Sequence, residues 1–135
     1  MNKYLVIILI TLGLVSCQFK KDESYYRSHP SELQNALKLC PGTQPDGLSC
    51  QQLEAIGRRM NSLAYQLQYN PQEFGNKILA LQQVIANQQR EMQSKKDNAE
   101  LQDSLKRNQE DLAYYLAVVK WLESLRVKHE NISKQ

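Results

Sequence analysis

Apolar residues recur at intervals of three and four along most of this chain, the period of an amphipathic helix. Leu33, Ala36, Leu37 and Cys40 stand at i, i+3, i+4 and i+7 of a first helix opening at His29-Pro30-Ser31-Glu32. Pro30 suits the first helical position, where its missing N–H has no partner to lose. Pro41-Gly42 stops this helix. Ser49-Cys50-Gln51-Gln52 has the form of a capping box, and Leu53, Ile56, Met60, Leu63, Ala64 and Leu67 mark the apolar stripe of a second helix. Asn70-Pro71-Gln72-Glu73 ends the second and begins a third, with Asn70 as cap and Glu73 reaching back. Phe74, Ile78, Leu81 and Ile85 then alternate spacings of four and three. The pattern thins from Asn87 to Gln93, and Ser94-Lys95-Lys96-Asp97 is wholly polar. Asp97 with Glu100 is a further candidate cap, after which Leu101, Leu105, Leu112, Leu116, Val119, Leu122 and Leu125 resume the apolar side.

Two arrangements satisfy the last part of this pattern. Residues 71–130 form either an antiparallel hairpin turning near 94–97 or one continuous helix, roughly 90 Å long at 1.5 Å per residue. No Gly or Pro follows Asn76, so the long helix is permitted. A lone helix cannot bury its own stripe, and the hairpin is the favoured expectation. The fold class expected is all-α: a helix–turn–helix module followed by a long antiparallel helical hairpin, or by one long helix.

A chain of 135 residues allows one compact domain, and 5 Gly with 4 Pro excludes collagen-like and low-complexity classes. The net charge is +3, from 17 basic residues interleaved with 14 acidic ones. No basic stripe marks a nucleic-acid surface, so no nucleic-acid partner is expected.

The first residues change the picture. Met1-Asn2-Lys3 is a short positive start, and an apolar run from Tyr4 to Val15 follows, too short to span a bilayer and suited to a signal peptide. It ends in Leu14-Val15-Ser16-Cys17, which resembles the lipobox of bacterial lipoproteins. The resemblance implies removal of residues 1–16 and a diacylglyceryl group on the Cys17 thiol. Two or three acyl chains hold a protein on a membrane almost permanently. Gln18, in place of Asp, implies the periplasmic face of the outer membrane by analogy with Gram-negative lipoprotein sorting. Residues 17–24 read as a lipidated tether, 25–70 as a helical module and 71–135 as the hairpin or coiled coil.

With Cys17 taken by lipid, Cys40 and Cys50 remain. Outside the cytoplasm two thiols pair in one intramolecular way, and Pro41-Gly42 and Asp46-Gly47 between them favour a chain reversal. The expectation is a disulfide stapling the first helix to the second. A zinc site needs more ligands than two widely spaced Cys and one nearby His, and a redox pair needs CxxC spacing. No metal or cofactor is expected.

No catalytic constellation is visible, and no small-molecule substrate is implied. His29 and His129 are the only histidines, and His129 sits near the C-terminus, where a cation suits the helix dipole. No Ser or Cys has a nucleophile context such as GxSxG, and the glycines form no phosphate loop. The stretch Tyr114-Tyr115-Leu116-Ala117-Val118-Val119-Lys120-Trp121-Leu122 is the most apolar after the signal. It is either bundle core or a partner-binding face built on Tyr114, Tyr115 and Trp121, and Tyr65 and Tyr69 fit either role.

Tyr25-Tyr26-Arg27-Ser28-His29-Pro30-Ser31-Glu32-Leu33, followed by Leu37, Cys40 and Cys50, resembles the EexN-type entry-exclusion lipoproteins of conjugative elements. Tyr26, His29, Pro30, Glu32, Leu37 and both Cys match the family pattern, as does the lipobox at Cys17. From Leu53 onward no family pattern is found. The resemblance implies a non-enzymatic, lipid-anchored envelope protein that modulates conjugative or type IV secretion DNA transfer through an envelope protein partner. The long helical region suggests the alternative, a structural lipoprotein subunit of a secretion apparatus. From the residues themselves, Tyr26 is expected to pack as a staple and His29 to cap the Pro30 helix.

Overall fold

The computed structural model describes residues 21–42 and 47–134. Cys17 and the signal segment lie outside the described residues. The described chain is all helix and connectors: α1 (Glu23–Ser28), α2 (Pro30–Lys38), α3 (Cys50–Tyr69), α4 (Pro71–Ser94) and α5 (Ala99–Ser133).

Helix α1 begins in the last two residues read as tether and runs on to Ser28, ahead of the first helix the sequence pattern marks. Asp22 Oδ1 accepts from the Tyr25 N–H at 2.9 Å, Glu23 occupies the positive first turn, and Arg27 pairs back to Glu23 one turn away. Six residues are too few to show a periodic stripe, which is why only the cap marks this helix in the sequence. Pro30 ends it, because a residue before proline avoids the helical region. His29 accordingly sits at φ −127° and ψ 72°, and Pro30 starts α2.

The caps of α3 and α4 follow the sequence. The Ser49 N–H donates to Gln52 Oε1 at 2.8 Å while Ser49 Oγ accepts from the Gln52 N–H at 3.2 Å. Asn70 Oδ1 accepts from the Glu73 N–H at 3.1 Å, and Asn70 Nδ2 donates to Glu73 Oε2 at 3.2 Å. Between α4 and α5 the chain reverses at residues 95–98, so the hairpin is the arrangement adopted. Its cap is one residue later than Asp97: Asn98 Oδ1 accepts from the Leu101 N–H at 2.9 Å.

The core gathers Tyr26, Leu33, Leu53, Ile56, Met60, Phe74, Tyr114 and Val118 from all five helices. Leu33, Leu53 and Val118 are fully buried, each worth about 1.5–3 kcal/mol of transfer free energy. Helices α2 and α3 approach closely at Gly57, where a Cβ would lie 3.1 Å from Leu37 Cδ1. The motif residue Leu37 thus packs on a helix surface with no side chain. Cys40 and Cys50 are joined, with Cα atoms 5.9 Å apart, tying the chain after α2 to the first residue of α3.

Farther along the hairpin the core thins to one layer. Ile85 is buried there, and the polar positions of the sequence pattern face each other across the helices. Gln88 Nε2 donates to Ser104 Oγ at 2.8 Å, and Asn108 Nδ2 donates to Gln88 Oε1 at 2.9 Å. Such a layer sets helix register at some cost in stability. Leu116 leaves the expected stripe and is 45% exposed. The buried register runs through Tyr114 and Val118, each two positions from Leu116, which turns Leu116 toward the opposite side of the helix.

Tyr114 is held most firmly. It is 1% exposed, and its hydroxyl donates to the Ile56 carbonyl at 2.8 Å. Burial pushes its pKa up to about 12, against a smaller opposing effect of Arg59, whose guanidinium lies 6.0 Å from the ring centroid. A hydroxyl whose folded pKa exceeds its unfolded value of about 10 stabilises the fold fully below pH 10 and ceases to do so as pH rises through 12. Chemical denaturation from pH 9 to 12 should therefore show a loss on the order of 2–3 kcal/mol, and Tyr114→Phe should flatten that slope while lowering stability at neutral pH by about 1 kcal/mol. An unchanged slope in the Phe variant would assign the loss to other groups.

Closing a loop of ten residues stabilises by about 2.7 kcal/mol in the chain-entropy view. Replacing Cys40 and Cys50 together by Ser should lower the melting temperature by several degrees and open residues 41–49 to protease. Thiol counting of the unfolded, unreduced chain should find neither cysteine free.

Candidate functional site

The residues singled out between Tyr26 and Cys50 separate into two groups once folded. Tyr26 and Pro30 are buried, Leu37 is half-buried against Gly57, and the cystine closes the corner. These residues hold the module together. Tyr26 belongs to the main core and packs far more deeply than a local staple. His29 and Glu32 are exposed. They border an open cleft of about 320 Å³ whose far wall is α5, through Ala117, Lys120 and Trp121.

The rim of this cleft is stitched by short contacts. Lys21 Nζ lies 3.0 Å from Glu32 Oε2 and 5.4 Å from the Tyr25 ring centroid. The Glu32 carboxylate beside it raises the Lys21 pKa above the ordinary lysine value. The Tyr25 ring stacks on His29 with centroids 4.0 Å apart. His29 Nδ1 lies 2.8 Å from the Tyr25 carbonyl oxygen. A carbonyl only accepts, so Nδ1 carries the proton in this contact. His29 therefore ties back to α1, whereas the sequence reading has it capping α2; its side chain makes no capping bond there.

Ser28 Oγ stands 3.1 Å from His29 Nδ1, a spacing that invites comparison with a nucleophile–base pair. The chemistry does not follow. Ser28 Oγ is within donating distance of two backbone carbonyls, Ser24 at 3.1 Å and Tyr25 at 3.0 Å, and the facing ring nitrogen is protonated. A nitrogen that already holds its proton cannot take one from serine. Among the described residues no group of three or more His, Cys, Asp or Glu side chains is placed to hold a metal ion.

The aromatic cluster of α5 is dispersed. Tyr114 lies in the core and presents no surface. Tyr115 packs on Phe74 of α4 with centroids 5.0 Å apart. Trp121, half-buried, reaches the cleft. The structure thus brings Trp121 to His29 and Glu32, and it does not assemble Tyr114, Tyr115 and Trp121 into one face.

A second surface was only half visible in the sequence. Tyr65 and Tyr69 are 66% and 79% exposed and stack on each other, centroids 5.8 Å apart. Around them lie Gln66, Asn70, Glu73 and Lys77, and Lys77 is held by Glu73 at 3.1 Å. The i, i+4 spacing put them on one helix face. Their position outside the Leu53–Leu67 stripe was the signal that they face water. A third feature is a wide apolar groove between the end of α3 and the end of α5, lined by Leu67, Pro71, Leu122 and Leu125.

The chain matches no family model, no curated protein and no solved structure among those compared.

Proposed function

We propose that this chain is a lipid-anchored binding protein of the cell envelope, of the entry-exclusion kind, acting on conjugative or type IV secretion transfer by holding a protein component of that machinery. The lipobox at Cys17 and the motif from Tyr26 to Cys50 support the reading. One observation carries the binding role: the stacked Tyr65–Tyr69 pair, two large aromatic side chains held in water where the fold itself gains little from them. Tyrosine supplies broad contact area at low conformational cost and is a frequent anchor of protein interfaces. Glu73 and Lys77 beside the pair provide the polar rim of such a surface. The chain acts by occupancy, with no reaction assigned to it. Its place is the periplasmic face of the outer membrane, and among the described residues no helix is long and apolar enough to cross a membrane.

A second reading is favoured by the arm of α4 and α5. The polar layer of Gln88, Ser104 and Asn108 gives this hairpin a fixed register away from the main core, as suits a structural subunit packed along an apparatus. The two readings differ in stoichiometry: a subunit co-purifies in fixed ratio with the apparatus of the cell that makes it.

Expression of the protein in a recipient strain should lower conjugation from a cognate donor by at least tenfold. Tyr65→Ala with Tyr69→Ala should restore transfer while leaving the melting temperature within a few degrees, since both rings are largely exposed. Unchanged transfer with every related donor system would overturn the exclusion reading. Exclusion that survives the double substitution would move the binding surface elsewhere.

A further inference from the structure

The cleft beside His29 lies close to the point where the described chain begins. Lys21 is the first described residue, and its ammonium holds Glu32 on the cleft rim at 3.0 Å. Cys17 is four residues earlier, a distance of at most about 14 Å for a fully extended chain. With acyl chains on Cys17 buried in hydrocarbon, Lys21 and the cleft rim are confined to the neighbourhood of the headgroups.

The wall of α5 is charged in the sense such a surface requires. At 100° per residue, Ala117, Lys120, Trp121, Ser124, Val127 and Lys128 fall within a sector of about 120°. Lys120 and Lys128 are exposed, and Val127 is 52% exposed. The two acids of this stretch, Glu123 and Glu130, fall outside the sector. On the module side each acid is already engaged: Glu32 with Lys21, Glu23 with Arg27, and Asp22 with the Tyr25 N–H. The face thus offers two exposed cations, an amphipathic indole and an exposed valine.

We infer that this cleft and the adjoining face of α5 rest on an anionic phospholipid surface, with Trp121 and Val127 at headgroup depth and Lys120 and Lys128 against lipid phosphates. The inference rests on the lipid-anchor reading of Cys17 and assigns the orientation of the domain on its membrane. Tryptophan favours the interfacial layer, and basic residues are drawn to anionic lipid. The Tyr65–Tyr69 surface is left for a protein partner.

Trp121 is the only tryptophan of the chain, so its fluorescence reports this cleft alone. The mature protein, purified with its anchor and weighed to establish acylation, is reconstituted in vesicles of phosphatidylcholine with or without phosphatidylglycerol. Lipids brominated near the headgroup should quench Trp121 at least twofold in the anionic vesicles, and lipids brominated near the chain end much less. Lys120→Glu with Lys128→Glu should relieve the quenching while the protein still floats with the vesicles. An acylated protein whose Trp121 emission is indifferent to brominated lipid overturns the inference alone and opens the cleft to a protein occupant. Equal quenching with and without phosphatidylglycerol overturns the anionic assignment. A mature chain without acyl groups overturns the anchor reading and this inference with it.

Discussion

The two-sided burial of α5 is the constraint on which the rest of the structure depends. This helix of 35 residues carries one stripe toward α4 and another, about 100° away, toward α1, α2 and α3. Tyr115 packs on Phe74 of the hairpin, while Tyr114, its neighbour, reaches the Ile56 carbonyl of α3. That hydrogen bond joins residues 58 apart in sequence and satisfies a hydroxyl that would otherwise be stranded in the core. Without the second stripe the shared core would lose Tyr114 and Val118. Without the first, the hairpin would have nothing to close on. The module and the hairpin share one core, and the boundary expected at residue 70 separates sequence patterns more than it separates packing units.

How legible a feature was depended on its physical range. Caps and turns are local, and Ser49, Asn70 and Pro30 act where their spacing placed them. The Cys40–Cys50 pairing needed only parity and a short reversing connector. The hairpin was preferred because a single helix could not bury its stripe, which is a global argument but a simple one. The failures came where one helix answers to two neighbours. A single-stripe reading of α5 enlisted Leu116 and left Tyr114 and Val118 out of the stripe, since a helix with two buried faces shows no one clean periodicity. Helix α1 escaped because its only signals were a cap and one i, i+4 ion pair.

The candidate site was legible in parts and illegible as a whole. His29 and Glu32 stood out by motif and Trp121 by composition, but their meeting depends on how α1 and α5 align, which no local pattern encodes. The same alignment divides the aromatic run of α5 between core, hairpin and cleft. Adjacent residues on a helix point about 100° apart, so a continuous aromatic stretch cannot serve as one face. Tyr65 and Tyr69, four apart, can.

The residues from Tyr26 to Cys50 divide between holding a corner and facing outward from it. Leu37 and the cystine are satisfied within α2 and α3 and specify a corner, while Tyr26 joins the core that all five helices share. His29 and Glu32 face outward from that corner, and what they meet is decided by whichever element packs alongside. Here it is α5, which supplies an indole and an ammonium, Trp121 and Lys120. Without α5 the same two residues would border open solvent. The long hairpin is therefore part of the site, because it furnishes one wall of the cleft and keeps the module's core dry.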